Sequence, residues 1–195
     1  ENIFDISSSS GKLVFTGNIT TIPDQAFGLC ENLTWIDLPK GITTIGTSAF
    51  SGCISMEEIT IPESVTSVGA AAFVNCSGKA HINCNIPDDI NSTGCFMNAG
   101  WTEVIIDDRV TTIGDMAFRG CKNLTSVTIG DNVTSIAYEA FYECTKLINI
   151  TLGNNVKSIN IDDLVEELRE KFGIELERSD VVQKVKGSLV YYDSI

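Results

Sequence analysis

Six phenylalanines recur almost metronomically. Phe27, Phe50, Phe73, Phe96, Phe118 and Phe141 are separated by 23, 23, 23, 22 and 23 residues. A spacing held that tightly makes each interval one structural unit, repeated. Three residues after most of these rings comes a cysteine: Cys30, Cys53, Cys76, Cys121 and Cys144. A larger apolar residue follows, as Leu33, Met56, Trp101, Leu124 and Leu147. Then come alternating pairs: Ile36/Leu38, Ile59/Ile61, Val104/Ile106, Val127/Ile129 and Ile150/Leu152. Alternation predicts a short strand with two inward side chains. Pro39, Pro62, Gly130 and Gly153 mark a turn after it. A second inward pair follows, as Ile42/Ile45, Val65/Val68, Val110/Ile113 and Val133/Ile136. The A-F-x-x-C segment completes the unit and is expected to form a short helical or 3₁₀ turn on the outer side. No such unit closes a core alone, because its apolar edge is covered only by the next unit.

The pattern L-x-x-I-x-I at this period matches the core of a leucine-rich repeat. The unit IGTSAFSGCISMEEITIPESVTSV, Ile45–Val68, and the variant stretch CSGKAHINCNIPDD, Cys76–Asp89, narrow the match. They resemble the BspA-like leucine-rich repeats of surface proteins in host-associated anaerobic bacteria and some parasitic protists. The resemblance covers roughly Leu13 to Ile159. It implies a right-handed leucine-rich repeat solenoid, β-rich with short parallel strands. It also implies a non-enzymatic adhesion module, at the cell surface or secreted, whose partners are host or bacterial surface proteins. At about six or seven turns, stacked at a strand spacing of about 4.8 Å, the rod would be roughly 30 Å long.

Three segments are expected: a lead-in over 1–12, the solenoid over 13–159 and a C-terminal cap over 160–195. Leu13 and Phe15 align with Ile59 and Ile61, so the stack begins with a half unit. After Ile159 the period fades. Asp162–Phe172 reads as an amphipathic helix with Leu164, Val165, Leu168 and Phe172 on one face and Gly173 at its end. Ile174–Glu177 and Lys186–Tyr192 read as short strands. A cap over the last open edge would keep the solenoid monomeric.

The unit between Phe73 and Phe96 breaks the pattern. Lys79 stands where Leu is expected, and Asp88 and Asn91 stand at inward aliphatic positions. Cys84 is assigned the inward strand position held elsewhere by Ile61 and Ile129. The unit reads either as degenerate or as a protrusion that carries recognition.

The chain carries 26 acidic against 13 basic residues, a net charge of -13. That excludes a nucleic-acid binder, which needs a basic stripe, and disfavours an anionic membrane surface. No apolar run reaches transmembrane length, so membrane insertion of this chain is not expected. The cysteine spacing differs from the close pairs of a zinc site, and the expectation is a ladder of reduced, buried thiols. Cys84 and Cys95 lie off that ladder and are the expected exceptions. No cofactor motif is present. His81, the single histidine, stands three residues from Cys84 without a third orienting group, which is a poor nucleophile pair. Acidic pairs such as Asp107-Asp108 read as solvated surface charge. Seven N-x-S/T sequons, Asn18 to Asn149, arise partly from the repeat consensus.

What remains is surface. The outward strand residues are expected in pairs: Trp35 and Asp37, Glu58 and Thr60, His81 and Asn83, Glu103 and Ile105. Trp35, Asp37, Glu58, His81 and Ile105 are the candidate ligand contacts. An outward Trp suits a protein hot spot and equally a sugar-stacking site. A glycan-binding module and a spacer without its own ligand are the alternatives. Trp101, by contrast, occupies a buried Leu position.

Overall fold

The computed structural model describes residues 12–15, 17–86, 94–156, 158–159 and 189–190. Seven parallel strands form one long sheet: β1 (Lys12–Val14), β3 (Trp35–Asp37), β5 (Glu58–Ile61), β7 (Ser77–Ile82), β8 (Gly100–Ile106), β10 (Ser126–Ile129) and β12 (Asn149–Thr151). Each comes from one repeat, and the register matches equivalent residues, as in Leu13↔Ile36 and Val127↔Ile150. The inward pairs lie in the core and their neighbours face out, which is the alternation read from the sequence.

The second inward pair of each unit builds a further wall, split in two. β2 (Thr21–Ile22), β4 (Thr44–Ile45) and β6 (Ser67–Val68) form one three-stranded sheet. β9 (Thr112–Ile113), β11 (Ser135–Ile136) and β13 (Ser158–Ile159) form the other. The seven strands of the long sheet recur at roughly 23-residue spacing.

The phenylalanine column is a continuous stack. From Phe27 to Phe141, successive ring centroids lie 5.2, 5.3, 5.0, 5.1 and 5.3 Å apart, with planes within 13° of parallel. Phe15 closes the first end edge-on at 5.9 Å. Each ring removed from water contributes about 1.5–3 kcal/mol. Stacking adds about 0.5–1.5 kcal/mol per pair. Trp101 sits beside the column at 6.4 Å from Phe73, fully buried in the expected Leu position.

The A-F-x-x-C segment is not helical, which corrects the expectation above. Gln25, Ser48, Ala71, Met116 and Glu139, each two residues before its Phe, have positive φ. So do Leu29, Asn75, Asn98 and Glu143, each two residues after, with Gly52 and Gly120 at the same place in their units. Left-handed residues on both sides of each Phe, four positions apart, cannot continue a right-handed helix. They turn alternate N–H groups toward the next unit instead. The N–H groups of Gln25, Phe27 and Leu29 donate to the carbonyls of Thr47, Ala49 and Ser51 at 2.9, 2.7 and 2.7 Å. Those of Met116, Phe118 and Gly120 reach Tyr138, Ala140 and Tyr142 in the same way. The outer side is thus cross-linked between units by backbone hydrogen bonds, as the sheet is.

The seven cysteines are free thiols. Cys53, Cys76, Cys121 and Cys144 are buried. Each donates its S–H to a phenylalanine carbonyl of the preceding unit, at 3.0–3.3 Å. Cys30, at the first unit, is half-buried. Cys84 and Cys95 are buried free thiols too. Asp108, expected to be merely solvated, accepts the Asp131 N–H at 2.7 Å, and Asp131 accepts that of Asn154 at 3.0 Å. Threonine hydroxyls do similar work, as in Thr66 on the Thr43 carbonyl and Thr134 on that of Thr111.

At the far end, β14 (Leu189–Val190) pairs antiparallel with β12. It falls within the strand expected at Lys186–Tyr192. The expected helix Asp162–Phe172 and strand Ile174–Glu177 lie outside the described residues, as do Asp88 and Asn91.

Candidate functional site

The irregular unit departs from its neighbours at two places. Its strand begins early: Ala80 comes four residues after Cys76, where Ile59 comes six after Cys53. The register confirms it, since Ala80 pairs with Ile59 and Ile82 with Ile61. A register shift between Gly78 and Lys79 makes the early start possible. Gly78 has φ +93°, and a Cβ there would lie 2.2 Å from the Glu57 carbonyl oxygen. Only glycine lets the two backbones meet so closely.

This corrects two expectations. Ile82, not Cys84, holds the inward position of Ile61; Cys84 lies beyond the strand, buried all the same. His81 pairs outward with Asn83 in the expected grid, but in the structure the outward pair is Lys79 and His81. Lys79 stands between Glu58 and Glu103, and His81 between Thr60 and Ile105.

The second departure is a missing turn. From Ile61 to Val68, and from Ile106 to Ile113, the chain takes seven residues. From Ile82 to Ile86 it takes four, and Ile86 then bridges directly to Ile113. The neighbouring units close this stretch with a turn, seen as Val65 N–H to Pro62 O and Val110 N–H to Asp107 O. Here the side chain of Asn85 substitutes for it, accepting from the Thr111 N–H at 2.8 Å. A gap is left in the wall between the turn at Pro62 and the turn at Asp107.

The gap is a cleft of about 380 Å³. Its floor is sheet: Trp35 and Asp37 from β3, Glu58 and Thr60 from β5. One side is the turn carrying Pro62, Glu63 and Ser64, and the other is Asn83 and Arg109. Arg109 spans it, with Nε 2.6 Å from Glu63 and Nη1 3.0 Å from Asp107. Lys40 also lines it. Three of the five residues singled out in the sequence, Trp35, Asp37 and Glu58, therefore share one cleft. His81 adjoins it, its Nε2 3.7 Å from Glu58. Ile105 lies beyond His81 in register and does not line the cleft.

Sequence reading missed Arg109, Glu63 and Lys79, and named Asn83 only as an outward strand residue. The signal was present: the shortened interval from Cys76 to Ala80 moves the outward pair of this unit by two residues. Lys79 forms an ion pair with Glu103 at 2.6 Å, whose hydrogen bond and charge hold the ammonium pKa above its ordinary value. Burial pushes the Cys84 thiol up to about 11, so it is a poor nucleophile near neutrality. Among the described residues no group of three or more His, Cys, Asp or Glu could hold a metal ion, and no helix is long and apolar enough to cross a membrane.

Among solved structures, a leucine rich repeat protein of T. pallidum aligns at 22% identity over 85% of each chain, with a TM-score of 0.52. That likeness shows the fold. A leucine rich cell surface protein of Faecalibacterium prausnitzii aligns at 17% identity over 94% of this chain and 63% of its own, with a TM-score of 0.37. A leucine-rich repeat protein of Eubacterium ventriosum aligns at 17% identity over 76% and 57%, with a TM-score of 0.41. The chain thus spans less than two thirds of the last two. No curated protein matches it. The BspA type leucine rich repeat region matches in six copies, over residues 1–94 and 89–163, and the chain belongs to that family.

Proposed function

We propose that the chain is a non-enzymatic recognition module of a cell-surface or secreted protein, which holds a partner protein on the outward face of its long sheet. The cleft beside Arg109 is the observation that carries this reading. It gathers Trp35, Asp37 and Glu58 beside the irregular unit that carries Asn83. Irregular units in repeat arrays tend to mark the binding side. An aromatic and an arginine among polar groups is the composition of a binding hot spot. The chemistry argues against catalysis at the same place. His81 faces outward, while Cys84 is buried with a raised pKa and is a poor nucleophile near neutrality. The net charge of -13 favours neutral or basic partners. A location at the cell surface accords with the family and with the Faecalibacterium protein's description.

Surface plasmon resonance against immobilised fibronectin and fibrinogen tests it. The wild type is expected to bind one of them, and a Trp35→Ala, Glu58→Lys double variant to lose at least about tenfold in affinity. No binding to either, or equal binding by both forms, would overturn the reading.

A further inference from the structure

We propose that the cleft takes a neutral saccharide of about one or two rings, a volume at the small end of ligand pockets. This rests on the recognition reading above for its site and names the ligand chemistry there. The cleft offers planar, forked polar ends on several sides: the carboxylates of Asp37 and Glu58, the amide of Asn83 and the guanidinium of Arg109. Such groups match adjacent hydroxyls, which donate to a carboxylate and accept from an amide or guanidinium. Trp35 supplies an aromatic surface, apolar in body and polar at one edge, for the carbon–hydrogen side of a ring.

Other ligand classes fit less well. Three carboxylates face two cations, and Arg109 is already committed to Glu63 and Asp107. An anion would therefore meet the carboxylates of Asp37 and Glu58, in a protein of net charge -13. A wholly apolar ligand would strip water from those same carboxylates with nothing in return. A peptide laid as an added strand needs an open sheet edge. The floor strands β3 and β5 are interior, each paired on both sides. Recognition here runs through side chains, which suits hydroxyl-rich rings.

The test is isothermal titration and saturation-transfer NMR with a panel of neutral mono- and disaccharides and their sulfated counterparts. The wild type, Asp37→Asn, Trp35→Ala and a remote Ile54→Ser control are compared, with thermal melts to check folding. The expected result is binding of at least one neutral sugar at concentrations up to about 10 mM, weakened about tenfold or more by Asp37→Asn with an unchanged melt, and weaker still for the sulfated form. No neutral sugar bound, or binding untouched by both cleft variants, would overturn the proposal. Enzymatic deglycosylation of the captured matrix protein separates the two readings. Capture that survives deglycosylation sinks the saccharide and leaves protein recognition standing. Sugar binding without capture of either form of that protein supports the saccharide and sinks protein recognition.

Discussion

Arg109 Nε lies 2.6 Å from Glu63 Oε2, and this ion pair joins two repeat units across a third that has lost its turn. Both partners are largely exposed, so the bridge shapes the cleft more than it stabilises the fold. Arg109→Ala should change unfolding stability by less than about 1 kcal/mol, as for other exposed pairs. A urea melt checks it. A loss near that of a core substitution would mean the bridge holds the irregular unit together.

Gly78 is the opposite case. It has no side chain of its own, yet β7 can start early only because its backbone passes close to the Glu57 carbonyl at φ +93°. Gly78→Ala should cost at least about 2 kcal/mol, from a strained φ combined with a clash against backbone that cannot swing aside. It should also perturb the amide signals of Lys79 and His81 in an NMR spectrum. A variant as stable as the wild type would contradict the assigned register.

The phenylalanine stack should behave as one body. Phe118 is fully buried between Phe96 and Phe141. Phe118→Ala is expected to cost about 3–5 kcal/mol, the transfer of the ring plus the cavity left behind. A chemical melt showing under about 1 kcal/mol would mean the units do not depend on one another through the column.

Cys84 gives a pH dependence. Burial raises its pKa from 9.0 in the unfolded chain to about 11 in the fold, so the folded state favours the neutral thiol. The stabilisation is complete below pH 9 and is lost as pH rises through 11, because the unfolded chain ionises first. Two pKa units correspond to about 2–3 kcal/mol. The stability difference between wild type and Cys84→Ala should therefore shift against the wild type by that order between pH 8 and 11. A difference that stays flat across that range would place Cys84 in water.

Most of the fold was legible because it is periodic. Phe27 to Phe141 fixed the units, and the alternating pairs fixed which residues face in. The local form of the A-F-x-x-C segment was not legible. Ser48, Ala71, Met116 and Glu139 have no intrinsic taste for a left-handed backbone, and their conformation is imposed by bonds to the next unit. The site was half legible for a related reason. Trp35, Asp37 and Glu58 lie in regular units and were found. Lys79 and Asn83 lie in a unit that loses two residues before its strand and three after it, and counting by period put the strand in the wrong place. Arg109 escaped because its partner Glu63 belongs to a unit two turns away, a contact that no local pattern encodes.

The most direct measurement is the affinity for an immobilised matrix protein of the wild type and of Thr60→Trp. Thr60 is exposed on β5 in the floor of the cleft, so an indole there fills the cleft without touching the core. The account predicts capture by the wild type, at least about a tenfold loss on filling the cleft, and an unchanged melt. Equal capture by the two proteins would contradict it.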